Sequence, residues 1–143
     1  LAFCGAVSAQ PSVAPDSAGS KVNLALVART STSFVSGHET ITALNDGYDP
    51  AHSDDKSRGA YGNWPRRDTQ WVQYDWSQPI STKQIEVYWW DDRQGVRLPK
   101  ASRLKYWDGN DFVPVKNASS LGVEGDKFNV TTFEEVLRVT REA

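Results

Sequence analysis

The sequence predicts an all-β domain, and three observations predict it. Short apolar runs of four to eight residues are separated by turn residues, no segment sustains three turns of helical period, and one hairpin is legible outright. The alternation sets the candidate strands: Asn23 to Ala28, Trp71 to Trp76, Gln84 to Trp90, Arg103 to Trp107, Asp111 to Val115, Lys127 to Phe133 and Val136 to Thr140. Only Ile41-Thr42-Ala43-Leu44 reads as a turn or two of helix.

The hairpin is KYWDGNDFVPV, where Asp108-Gly109-Asn110 separates two β-rich runs and Gly109 supplies a positive φ. Pro114 then belongs on a sheet edge, because it lacks the donor a central strand needs. Along Ile85 to Trp90 the period of two sends Ile85, Val87 and Trp89 to one face and Glu86, Tyr88 and Trp90 to the other. The first set is a core face, so Trp89 is expected in the core. Trp90 is expected at the strand's end on a ligand-facing edge. From Asp46 to Thr69 no strand pattern appears, and an interval that long in a compact domain is usually functional or held by something other than its own backbone.

At the front, LAFCGAVSAQ reads as the tail of a signal peptide's apolar core, with Val7-Ser8-Ala9 as a small-residue cleavage pattern; the plainer reading is the apolar end of a preceding segment. The absence of Met places the start inside a longer product. Residues 1–9 are thus a leader remnant, residues 10–21 a Pro/Ala/Ser/Gly linker, and residues 22–143 the domain. The expected location is secreted or periplasmic. Cys4, the single cysteine, falls in the leader, so the domain is indifferent to redox compartment.

With 16 Lys+Arg against 18 Asp+Glu the formal net charge is −2, which marks neither nucleic acid nor an anionic membrane as partner. An enzymatic reading of Asp91 and Asp92 as acid and base fits poorly, because adjacent residues on an extended chain point to opposite faces. Pairing with Arg93 and Arg97 to hold the loop is simpler. His38 and His52 lie in loop-like sequence without a nucleophile elbow or a zinc-protease pattern, so no catalytic set emerges. LNDGYDPAHSDD offers Asp46, Asp49, Ser53, Asp54 and Asp55 either as hard-cation ligands or as solvated turn carboxylates.

A sugar-binding surface needs an aromatic ring for the apolar C–H face of a pyranose and polar groups at its rim. Trp64, Trp90, Tyr61 and Tyr48, with Arg66, Arg67, Asp92 and Arg97, are the pieces available, although packing is the commoner role for any single aromatic. Asn117-Ala-Ser and Asn129-Val-Thr are sequons that fit surface positions.

ALNDG, QWVQYDW, IEVYWWDD, ASRLKYWDG, FVPV and VLRV, in this order from about Asn23 to Arg138, resemble the discoidin, or coagulation factor V/VIII type C, domain. The longer pattern around NWP and VYWWDDRQGVRLP is similar to accessory modules of secreted bacterial glycoside hydrolases, and the superfamily includes the family 32 carbohydrate-binding modules. The resemblance implies a galactose-binding-like jelly roll of two antiparallel sheets. It further implies a non-catalytic module for a galactose- or arabinose-type glycan, or a structural module packed on a glycoside hydrolase catalytic domain that binds no sugar itself. Residue by residue it implies a structural calcium near Asp46 and Ser53, an arginine at Arg138, and sugar-binding loops holding Tyr61, Trp64, Trp90 and Asp92. In the family a last strand carries a glutamate that completes the calcium site; here Glu142 substitutes, or calcium is absent, or that strand is missing from the sequence.

Overall fold

The computed structural model describes residues 7–10, 22–55, 57–120 and 122–137. Cys4, most of the expected linker, Arg138 and Glu142 lie outside them. The described residues form seven strands in three small antiparallel sheets, with two short 3₁₀ turns and no α-helix. The strands are β1 (Val7–Gln10), β2 (Arg29–Thr32), β3 (Val72–Asp75), β4 (Ser81–Tyr88), β5 (Lys105–Trp107), β6 (Phe112–Pro114) and β7 (Phe128–Leu137). The β-rich class is therefore as expected, while the strands assemble as β1-β4-β7, β2-β3 and β5-β6.

β4 is the spine. It pairs with β7 on one side and on the other with β1, whose residues belong to the expected cleavage pattern. Tyr88 stands opposite Phe128, and their rings meet edge to face at 5.3 Å. A bulge between Thr82 and Gln84 is closed by the Thr82 hydroxyl, which donates to Gln84 O at 2.9 Å.

The β5–β6 hairpin is as read. Gly109 takes φ +107°, and Asp108 Oδ1 accepts the N–H groups of Asn110 and Asp111, both at 2.8 Å. Pro114 sits opposite Lys105 in a two-stranded sheet, where both strands are edges.

Three local expectations change. Residues 24–27 form a 3₁₀ turn rather than a strand: Asn23 Oδ1 caps Ala25 N–H at 3.0 Å, while Asn45 donates to Ala25 O and Ala28 O and the Trp76 indole to Leu24 O. These side chains, distant in sequence, hold the turn by its carbonyls. Secondly, β7 runs unbroken where two strands were expected. Its apparent break, Glu134-Glu135, is held by Lys116 O, the Asn117 amide and the Ser81 hydroxyl. Finally, Asn129 is a buried sequon asparagine whose amide donates to Glu124 O and Lys127 O, whereas Asn117 is exposed as expected.

The core divides in two. Tyr88, Trp90 and Val96 cluster with Ala60 and Phe128; Ala43, Leu44 and Tyr61 cluster with Val35, Ile41, Val72 and Tyr74. Ala60 and Tyr61 are adjacent, so one extended segment joins the clusters and the residues that follow emerge between them.

Candidate functional site: a cleft beside Trp64

Where that segment emerges lies a cleft of about 300 Å³ lined by Ser36, His38, Glu39, Gly62, Trp64, Gly95 and Val96. Three stretches distant in sequence build it. Ser36 N–H donates to Gly62 O at 2.8 Å and Thr40 N–H to Ala60 O at 2.9 Å, which holds residues 36–40 against residues 60–62. Ser36 Oγ accepts His38 N–H and fixes the bend that carries His38 and Glu39. A Cβ on Gly62 would come within 3.1 Å of Glu39 Cγ, so the glycine lets the glutamate lie flat against the backbone.

Trp64 sits on a turn closed by Arg66 N–H donating to Asn63 O at 2.8 Å; its peptide to Pro65 is cis. The indole is 56% exposed, and the His38 ring lies 5.9 Å away, tilted by 46°. The third wall comes from the loop after β4. Asp91 Oδ1 accepts Arg93 N–H at 2.8 Å, while Asp92 Oδ1 accepts Gln94 N–H at 2.9 Å and Val96 N–H at 3.0 Å. The aspartates orient the loop as expected, but through backbone N–H groups where guanidinium groups were anticipated. Gly95 faces open space and Val96 anchors in the core.

The expected sugar-binding residues separate. Trp64 is at the cleft, and Asp92 shapes its wall. Arg97 is exposed beside Val96 and is not part of the lining. Trp90, expected at an open edge, is 6% exposed, because Val96 and Ala60 fold over the Tyr88 face. Tyr61 is fully buried, its hydroxyl shared between Phe34 O at 2.9 Å and Thr32 Oγ1 at 2.5 Å, so it offers a ligand no face. His38 and Glu39 were not proposed as ligand contacts; adjacent polar residues in a long irregular stretch were the available signal.

The Asp46–Ser57 loop closes on itself and on the end of β4. Asp46 Oδ1 accepts Tyr48 N–H at 2.9 Å, and Asp55 takes hydroxyls from Tyr48 and Ser57. Ser53 N–H donates to Asp126, which has φ +69°, and Ser53 Oγ accepts Asp91 N–H at 3.1 Å. Among the described residues no three His, Cys, Asp or Glu side chains converge on a point. Asp46 thus gives one carboxylate oxygen to its own loop, while calcium draws its ligands from backbone carbonyls and waters as well as from side chains.

These contacts set an acid limit on the loop. The Ser57 hydroxyl, then the Tyr48 hydroxyl, hold Asp55 down from 3.8 to about 2, and Ser53 N–H followed by the Ser53 hydroxyl lowers Asp126. A depressed folded-state value contributes stability that is complete above the unfolded value and is lost as pH falls through the folded one. The thermal midpoint is therefore expected to drop between pH 3.8 and about 2, less steeply in an Asp55→Asn, Asp126→Asn double variant. Melting curves across that range check it; equal slopes would show that neither carboxylate holds the loop. Tyr88, pushed up to about 12 by burial, sets the opposite limit, its contribution lost as pH rises from 10.0 through that value.

Compared with family models, with curated proteins and with solved structures, the chain finds no match in any of the three.

Proposed function

We propose that this chain is a non-catalytic carbohydrate-binding module, exported, with a discoidin-like jelly-roll arrangement of its strands, and that it serves a polysaccharide-degrading system beside a glycoside hydrolase. One observation carries the reading: Trp64 presents a half-exposed indole at the mouth of a cleft that also holds His38 and Glu39. An indole face stacks on the C–H face of a sugar, and a ring nitrogen and a carboxylate suit its hydroxyls. Among the described residues Glu39 is the single carboxylate of the lining, where glycoside hydrolysis uses a pair. A galactose- or arabinose-type glycan gripped on one face would bind weakly, on the order of −4 to −6 kcal/mol.

The test is calorimetric titration against galactose, arabinose, rhamnose and plant-polysaccharide oligomers, with calcium and with chelator. Saturable heat from one sugar class is expected. Heat that requires calcium would place a cation on the Asp46–Ser57 loop, with backbone carbonyls completing its ligands. Silence towards every sugar from folded protein would overturn the reading.

A second reading, a structural module packed on a catalytic domain, draws on Val22, Leu26 and Val27, which are 55%, 51% and 73% exposed. Such a cluster is an expected docking feature. It predicts no saturable heat with any sugar, and loss of association with the hydrolase domain when all three are replaced by serine.

A further inference from the structure

Asn63 is fully buried, and neither Oδ1 nor Nδ2 of its side chain has a hydrogen-bond partner. Its backbone carbonyl, by comparison, closes the turn that carries Trp64. The fold satisfies its other asparagines in similar positions. Asn129 makes three bonds, to Glu124 N, Glu124 O and Lys127 O, and Asn45 makes two, to Ala25 O and Ala28 O. Ser102 Oγ also lacks a partner, but it is a single hydroxyl on a half-buried residue away from the cleft lining.

A carboxamide brings two donor hydrogens and two acceptor lone pairs, and burying it unpaired is unfavourable. Nine in ten or more buried polar groups are paired, and the exceptions gather where a protein keeps a group for use. An apolar residue of similar volume would fill the same space without that penalty. The polar group at this position thus works against stability, and its partners have to come from outside the chain.

The neighbours of Asn63 say from where. Gly62 and Trp64, its two neighbours in the chain, both line the cleft, while Asn63 itself is fully buried and outside the lining. We propose that Asn63 is a ligand-recognition residue of the cleft and that its carboxamide takes two adjacent hydroxyls of the bound sugar, one as donor and one as acceptor. The inference rests on the carbohydrate-binding reading above. A vicinal diol matches the carboxamide because one hydroxyl accepts from Nδ2 while its neighbour donates to Oδ1. Contact is made as the Trp64 turn yields to the ligand or across one bridging water, and both routes leave the same signature: discrimination against a sugar lacking either hydroxyl.

The experiment uses the whole chain, wild type and Asn63→Leu, with galactose, L-arabinose and their monodeoxy analogues as probes, read by calorimetry and thermal melting. The wild type is expected to bind at least one monodeoxy analogue about tenfold more weakly than its parent sugar. Asn63→Leu is expected to bind the parent about tenfold more weakly, to lose that discrimination, and to melt no lower than the wild type. A merely structural role would not remove discrimination between the analogues.

A variant that binds and discriminates like the wild type overturns this assignment and leaves the Trp64 reading standing. A clearly lower melting point with lost binding also overturns it, since the amide would then have partners within the protein. If Asn63→Leu does not fold, the wild type decides: equal affinity for parent and every monodeoxy analogue overturns the proposal, and discrimination supports it. Silence of the wild type towards every sugar overturns the function itself, and this assignment with it.

Discussion

Trp90→Ala is expected to destabilise the domain by about 3–5 kcal/mol, enough to lower the thermal midpoint by 10 °C or more. The indole is buried among Tyr88, Val96, Ala60 and Phe128, and truncation leaves a large void beside the end of β4. The damage does not stop at the cavity. Val96 lines the cleft and rests on Trp90, so the wall around Gly95 and Val96 loses its support. Denaturant unfolding measures the effect directly. A loss below about 1 kcal/mol would mean the ring is not core, and would return Trp90 to the ligand-facing role its sequence position suggests.

Trp64→Ala is expected to do the reverse. Its indole is more than half exposed, so the melting point should stay within the narrow range of surface substitutions, roughly 0.5 kcal/mol. Sugar binding should weaken at least tenfold, which for a site this weak puts it below detection. Trp71 provides the control, because it is 50% exposed yet absent from the cleft lining. Trp71→Ala should bind as the wild type does. Equal losses from both variants would point to a diffuse aromatic surface and away from this cleft; unchanged binding in Trp64→Ala would remove the cleft from consideration.

The two tryptophans show where sequence reading reaches its limit. Period two sends Trp89 and Trp90 to opposite faces, and the structure agrees: Trp89 donates its indole N–H to Gly122 O on one side, while Trp90 joins Tyr88 on the other. Alternation says that a strand has two faces. It does not say what covers each one. The segments at Ala60 and Val96 bury the second face, and no local pattern announces that they will.

What the sequence by itself determined follows from interactions between near neighbours. The β5–β6 hairpin rests on Asp108 and Gly109 within its own turn, the 3₁₀ turn at Ile41–Leu44 is capped by Thr40, and β4 is legible from Gln84 to Tyr88, although it begins at Ser81 and stops short of Trp89 and Trp90. The tertiary structure decided whatever depends on partners far along the chain. Asn45 and Trp76 turn residues 24–27 from a strand into a 3₁₀ turn, and backbone hydrogen bonds between residues 36–40 and 60–62 bring His38 to Trp64. Turn chemistry is encoded within a few residues, so it can be read locally. A cleft assembled from residues 36–39, 62–64 and 95–96 depends on which loops settle against one another, and that balance of long-range contacts is struck only when the chain folds.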